Sequence, residues 1–390
     1  MKHTSIGFIV LACILVAGFF FLGASKESSP YGLRSMRSGE NVQSYIHDEV
    51  VTCLRTGEPG WRGRCFRDLG ALLSSQFELG DVLKGLSAID DEEGIKQQCH
   101  ALVHYLGQNE YKKTQSLPQT FLNCTANGSA CGEGCFHGAV EGYLSENGST
   151  LSSSGISKIC SRELVPNDVT YRACTHGLGH AFMLEFNNNI HKSLASCSHL
   201  SNLSDRENCY SGVFMENVFS FGNPDHPTKF MRPNDPTYPC TEIEDRYKDS
   251  CYSAQAAFVM QHGGFNPSLG AAFCANAPSA YRTNCFGGIG GNAVVFFSDP
   301  AAIRSACEYA PKGAARRECV NQALVFLAYQ YQGEVEKVGD LCFVLDSAEQ
   351  ESCFRSTGDV IESWYPGKRP EKCELVDAKG TTAYRFCTGK

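Results

Sequence analysis

The chain has no pair of cysteines separated by two residues, although it holds 21 cysteines in 390 residues. That absence excludes the C-x-x-C frameworks of zinc ribbons and thiol oxidoreductases, and with them c-type haem attachment. No G-x-S-x-G elbow occurs, so the serines and histidines carry no hydrolase signature of that kind. Basic charge is scarce, at 34 residues against 42 acidic ones and a net charge of -8. Such a surface repels phosphate backbones and excludes nucleic acid as the expected partner.

The cysteines that are present form a repeat. Cys65, Cys99, Cys135, Cys174, Cys209, Cys251, Cys285, Cys319, Cys353 and Cys387 follow one another at 34 to 42 residues, and the last five are spaced 34 apart. Nine of these ten have a partner 11 to 14 residues upstream: Cys53, Cys124, Cys160, Cys197, Cys240, Cys274, Cys307, Cys342 and Cys373. Cys99 alone lacks one, and Cys131 is left over, so the spacing predicts local bridges plus the exception Cys99–Cys131. A period in the mid-thirties means stacked supersecondary units that bury one another's apolar faces. It resembles the tetratricopeptide class in length alone; the consensus residues of that class are absent, and nothing of its function carries over.

Twenty paired cysteines need an oxidising compartment, and the N-terminus supplies a route to one. Ile6 to Ala24 is nineteen residues without a charge, following Lys2. At 1.5 Å per residue such a helix spans about 28 Å, close to the hydrocarbon thickness of a bilayer. It reads as an uncleaved signal-anchor, with a cleaved signal peptide as the competing reading. Either way the remainder is delivered outside the cytoplasm.

Within a unit, helix-start signals precede the second cysteine. Asp346-Ser-Ala-Glu349 and Ser204-Asp-Arg-Glu207 have the capping-box form. A long apolar run follows the cysteine, predicting a first helix of about 16–20 residues. Breakers such as Gly263-Gly264 or Ser298-Asp299-Pro300 end it, and a second helix of about seven to ten residues leads to the next bridge. Helices that short need packing or a staple to persist. Two side features recur. A basic residue sits just before most second cysteines (Arg62, Lys96, Arg172, Arg206, Lys248, Arg282, Arg316, Arg385), and predicts a partner on the neighbouring unit. A small residue follows three positions after it (Gly138, Gly177, Gly212, Ala254, Gly288), and predicts close backbone approach.

One constellation points to chemistry. Positions two and six after the second cysteine share a helix face, and on the third unit they are His137 and Glu141, on the fourth His176 and His180. The second unit carries His100 and His104 one residue earlier, and the fifth places Met215 at the sixth position. An i,i+4 pair of histidines, or of histidine and glutamate, puts both side chains over one turn, where they can grip one ion. The expected ligand set is therefore His104, His137, Glu141, His176 and His180, with Met215 at the edge, and zinc, iron or copper as the cofactor. The alternative is a hydrogen-bonded polar seam with no ion.

Together these readings predict an all-α, disulfide-stapled αα-repeat solenoid, or toroid, of about ten units after one transmembrane helix. Its parts are a signal-anchor over 1–24, a flexible linker over 25–42 and a Cys-rich repeat domain over 43–390. The expected function is a membrane-anchored extracytoplasmic scaffold that takes a protein, peptide or glycan on its concave face and holds a transition metal in the cluster. The alternative is a metal-dependent hydrolase or oxidoreductase using the same cluster.

Overall fold

Side-chain caps set the starts of several short helices. Asn189, Asn266 and Asp299 each accept a backbone N–H of the first turn, from Lys192, Ser268 and Ala301. Pro267 and Pro300 then occupy the first helical position, where a missing N–H is no loss. These details come from a computed structural model that describes residues 29–390, apart from 58, 93, 97, 126–129, 149–151, 164, 166–167 and 332.

Each of the ten repeat cysteines lies on a helix of its own. These helices are α1 (Pro59–Gln76), α2 (Cys99–Thr114), α3 (Gly134–Asn147), α4 (Asp168–Glu185), α5 (Leu203–Phe219), α6 (Asp245–His262), α7 (Arg282–Phe296), α8 (Ala314–Gln330), α9 (Ser347–Trp364) and α10 (Thr382–Thr388). Every one packs against the next in the series. Shorter helices such as Leu117–Thr125, Ile190–Cys197, Pro300–Glu308 and Val335–Phe343 run between them. The described residues contain no strand. One continuous apolar core runs from Leu33 to Cys387.

Ten disulfides hold this stack. Nine join the end of a preceding helix or loop to the start of the next α-numbered helix, across 11 to 14 residues: Cys53–Cys65, Cys124–Cys135, Cys160–Cys174, Cys197–Cys209, Cys240–Cys251, Cys274–Cys285, Cys307–Cys319, Cys342–Cys353 and Cys373–Cys387. The tenth, Cys99–Cys131, spans 32 residues. On the chain-entropy account each short bridge contributes about 2–3 kcal/mol. Bridges in such number are those of a protein matured in an oxidising, extracytoplasmic environment.

The chain also meets itself at long range. Arg64 on α1 forms two hydrogen bonds to Asp225, at 2.7 and 2.9 Å through Oδ1. Lys96, just before α2, donates to Ser298 Oγ at 3.1 Å, 202 residues away. Helix α4 packs on α9. Units from the first half of the chain therefore lie against units four to six further on.

Several local expectations are revised. The helix carrying Cys209 starts at Asn202, whose side chain accepts from Asp205 N, and not at Ser204. The basic residues before the cysteines differ in where they find partners: Arg282 donates to Ala277 O and Arg316 to Ala310 O inside their own units, while Arg316 also lies 3.8 Å from Glu349 of the next unit, as expected, and Lys96 reaches Ser298. Both carbonyls lie just past a short helix, at the negative end of its dipole, which is where a guanidinium is favoured. From Ser29 onward the stretch expected as a linker is tied to the domain: Arg34 N donates to Glu49, Tyr45 donates to Arg34 O, and Met36 N donates to Gln76. The apolar segment Ile6–Ala24 lies outside the described residues. Among those described, no helix is long and apolar enough to cross a membrane.

Candidate metal centre

The glycines set the distance between α2, α3, α4 and α5. A β-carbon on Gly138 of α3 would strike the backbone carbonyl of His104, and one on Gly212 of α5 would strike that of His176. Glycine inside a helix costs about 1 kcal/mol against alanine. At these two positions its absent side chain lets the backbones touch, at the level of the histidines.

The result is a cluster of five imidazoles and two carboxylates. On one side, His104 Nδ1 lies 2.8 Å from Glu141 Oε1, and His104 Nε2 lies 3.1 Å from His100 Nε2. On the other, His180 Nδ1 lies 2.9 Å from Glu216 Oε2, and His180 Nε2 lies 3.2 Å from His176 Nε2. The two halves repeat each other: a pair from α2 with a glutamate from α3, and a pair from α4 with a glutamate from α5. Between them stands His137, whose ring centroid is 5.0 to 5.4 Å from those of His100, His104, His176 and His180. His104, His137 and His180 are buried, the last two at 3% and 0% exposure, while His100 and His176 are half-buried.

In His100, His104 and His180 the second partner fixes which nitrogen is bare. Glu141 and Glu216 accept from the Nδ1 of His104 and His180. The Cys131 carbonyl, 3.0 Å from His100 Nδ1, can only accept as well. In the neutral state the Nε2 atoms of His100 and His104 then face each other as two lone pairs, which repel unless a cation stands between them. A proton on His104 is one such cation. Two nitrogens bound to a tetrahedral ion at about 2.0–2.1 Å are themselves about 3.3 Å apart, so the pairs have the spacing of neighbouring ligands.

His137 goes further: both its ring nitrogens are buried without a hydrogen-bond partner among the described residues. A buried polar group left so costs about 1–3 kcal/mol.

Charge in the cluster follows the same lines. Burial, with the neighbouring imidazoles adding to it, pushes His100 down to about 3 and His137 well below the usual histidine range. Burial, followed by the effect of His104, takes His180 down to about 3. Burial also opposes the charged form at His104, but Glu141, as ion-pair and hydrogen-bond partner, outweighs it and raises that ring. Burial works against the Glu141 carboxylate too, yet His104 holds it down to about 2, while burial and the charge of Glu141 raise Glu216 to about 7. The site thus keeps most of its imidazoles neutral, which is the ligating form.

Of the residues expected here, His104, His137, Glu141, His176 and His180 are brought together, with His100 beside them. From α5 the residue hydrogen-bonded to the imidazoles is Glu216; Met215, its neighbour, is half-buried. Glu216 was missed because it sits seven residues after Cys209, off the face of positions two and six. The signal that would have found it is the offset between units. Glu141 follows His104 by 37 residues and Glu216 follows His180 by 36. Cys131 and Cys135, near His137 in sequence, offer no thiolate ligand, because both sulfurs are in disulfides.

Each half is the carboxylate–histidine arrangement that orients an imidazole towards a metal, with the glutamate fixing the tautomer. Comparison with protein-family models, with curated proteins and with solved structures finds no match, so function is read from this site alone.

Proposed function

We propose that the protein is an extracytoplasmic αα-repeat scaffold, curled so that successive turns stack, whose function is built on a transition-metal centre in the cluster of α2 to α5. The observation that carries this reading is His137, a nearly fully buried imidazole with neither nitrogen partnered, set among four others whose Nε2 atoms are turned together. A polar seam would leave His137 unexplained, since a seam is stable only when its members are satisfied. Imidazole-rich sets suit zinc, copper or iron. His104 and His180 act as ligands through Nε2, with Glu141 and Glu216 as the groups that hold them. The copper preference a Met215 thioether would add has no support from its placement. The same burial argues against a peptide or glycan lying along these positions, and is a reason to propose the outer surfaces for a macromolecular partner.

A second reading, catalysis by the bound metal, is favoured by one observation. Phe219 is 50% exposed, and its ring lies 6.4 Å from that of His100 and 6.5 Å from that of His180. An exposed aromatic side chain thus borders the cluster, and His100 and His176 are themselves half-buried, which would give a small molecule a short path inward.

The test is elemental analysis of the protein purified with its disulfides intact, alongside a His176→Ala/His180→Ala double variant. Stoichiometric zinc, copper or iron that falls in the variant supports the reading. Metal-free protein whose melting ignores added zinc and copper overturns it.

A further inference from the structure

His137 lies on the middle helix of three. The pair His100/His104 reaches it from α2 and the pair His176/His180 from α4. An imidazole presents its two nitrogens on different edges of the ring, and in His137 neither has a partner among the described residues. Ligand atoms of His100, His104 and His137 all lie within 4.8 Å of one another, and so do those of His137, His176 and His180. His137 belongs to both sets, and each set offers three imidazole nitrogens.

We propose that the centre is dinuclear, with His137 bridging two metal ions as an imidazolate. The first ion is held by His100 Nε2, His104 Nε2 and one nitrogen of His137; the second by His176, His180 and the other nitrogen of His137. This rests on the metal-binding reading above. A neutral imidazole carries one N–H and one lone pair. The first ion takes the lone pair of His137; the second displaces the remaining proton, which leaves to solvent, and a second metal–nitrogen bond forms. No electron changes hands in either step.

Two further observations fit this arrangement. Two carboxylates, buried Glu141 and half-buried Glu216, stand one behind each pair, supplying negative charge on both sides of a centre that gains two cations. A single ion in the other available set, His104, Glu141 and His180, would compete for a carboxylate already engaged at both oxygens. Oε1 faces His104, and Oε2 accepts from Gln108 at 2.7 Å. It would also leave His137 with no partner.

Copper(II) is the probe, because two such ions joined through an imidazolate couple their spins. The full chain, purified with its disulfides intact, is titrated with copper(II); bound copper is counted by elemental analysis and the resonance signal is integrated. The expected result is two coppers per chain with most of the signal lost. In His137→Phe, which keeps a ring without nitrogens, each copper still bound should show its full signal. One copper per chain, or two at full intensity in the unaltered protein, overturns the bridge and leaves the metal-binding reading standing. No bound copper or zinc overturns both. The unaltered protein alone decides the matter should the Phe variant not fold.

Discussion

His104 Nδ1 and Glu141 Oε1 meet at 2.8 Å between α2 and α3, and the same contact recurs between His180 and Glu216 at 2.9 Å. Each glutamate fixes its histidine's tautomer and turns the other nitrogen to the cluster. Replacing Glu141 or Glu216 by Gln keeps the shape and removes the charge. Metal affinity should fall by about 10–100-fold for either, the range for partners that orient a ligand. Competition with a chelator of known affinity measures it.

The contact of Gly138 with the His104 carbonyl predicts a different kind of failure. Gly138→Ala and Gly212→Ala should each destabilise the protein by about 1–3 kcal/mol, because a methyl group must displace backbone rather than a flexible side chain. They should also weaken metal binding, since the helices are pushed apart at the cluster. Thermal unfolding with and without added zinc separates the two effects.

Burial first, and the charge of Asp91 after it, push the Asp90 carboxyl up to about 6 although the Cys131 N–H opposes the rise. A carboxyl whose folded value exceeds its unfolded value of 3.8 favours folding while protonated. That contribution is complete below about pH 4 and is lost as pH rises through about 6. Asp90→Asn, whose amide oxygen still accepts from Cys131 N, should therefore gain on the unaltered protein by up to about 2–3 kcal/mol between pH 4 and 7, at roughly 1.4 kcal/mol per unit. Denaturant unfolding across that range is the measurement.

Removing Cys99–Cys131 by a double alanine substitution opens a loop of 32 residues. The loss should be about 3–4 kcal/mol on the chain-entropy model. Because the Cys131 carbonyl holds His100, metal binding should weaken as well, which a matching Cys342→Ala/Cys353→Ala variant at the far end should not show.

Phe219→Ala opens the short path to solvent. Release of bound zinc to a chelator should become faster, with equilibrium affinity changed much less. Stopped-flow competition distinguishes rate from affinity.

What could be read in advance follows physical range. Bridges across 11 to 14 residues are set by local spacing, so the cysteine pattern carries them. The i,i+4 histidine pairs are equally local. Glu216 was not legible from its own helix, because its role depends on register between helices. The pair on α4 sits one residue later than that on α2, so its carboxylate moves from six to seven residues past the cysteine. The contact of Lys96 with Ser298 was beyond reach, as it depends on curvature accumulated over many close helix contacts.

The connectivity of the disulfides bears on how the chain is made. Twenty thiols admit an enormous number of pairings, but a thiolate attacks the sulfur it meets most often, and for short loops that is the nearest in sequence. Eight bridges can therefore close in order as the chain emerges, each sealing its unit before the next appears. Only one place interrupts the sequence: Cys124 emerges inside the span of Cys99–Cys131, and its partner Cys135 emerges after that span is complete. Cys99 therefore meets Cys124 before either correct partner exists, and a wrong Cys99–Cys124 bond is the mispairing that an isomerase would most often have to undo, in the very unit that carries the first two histidines of the cluster.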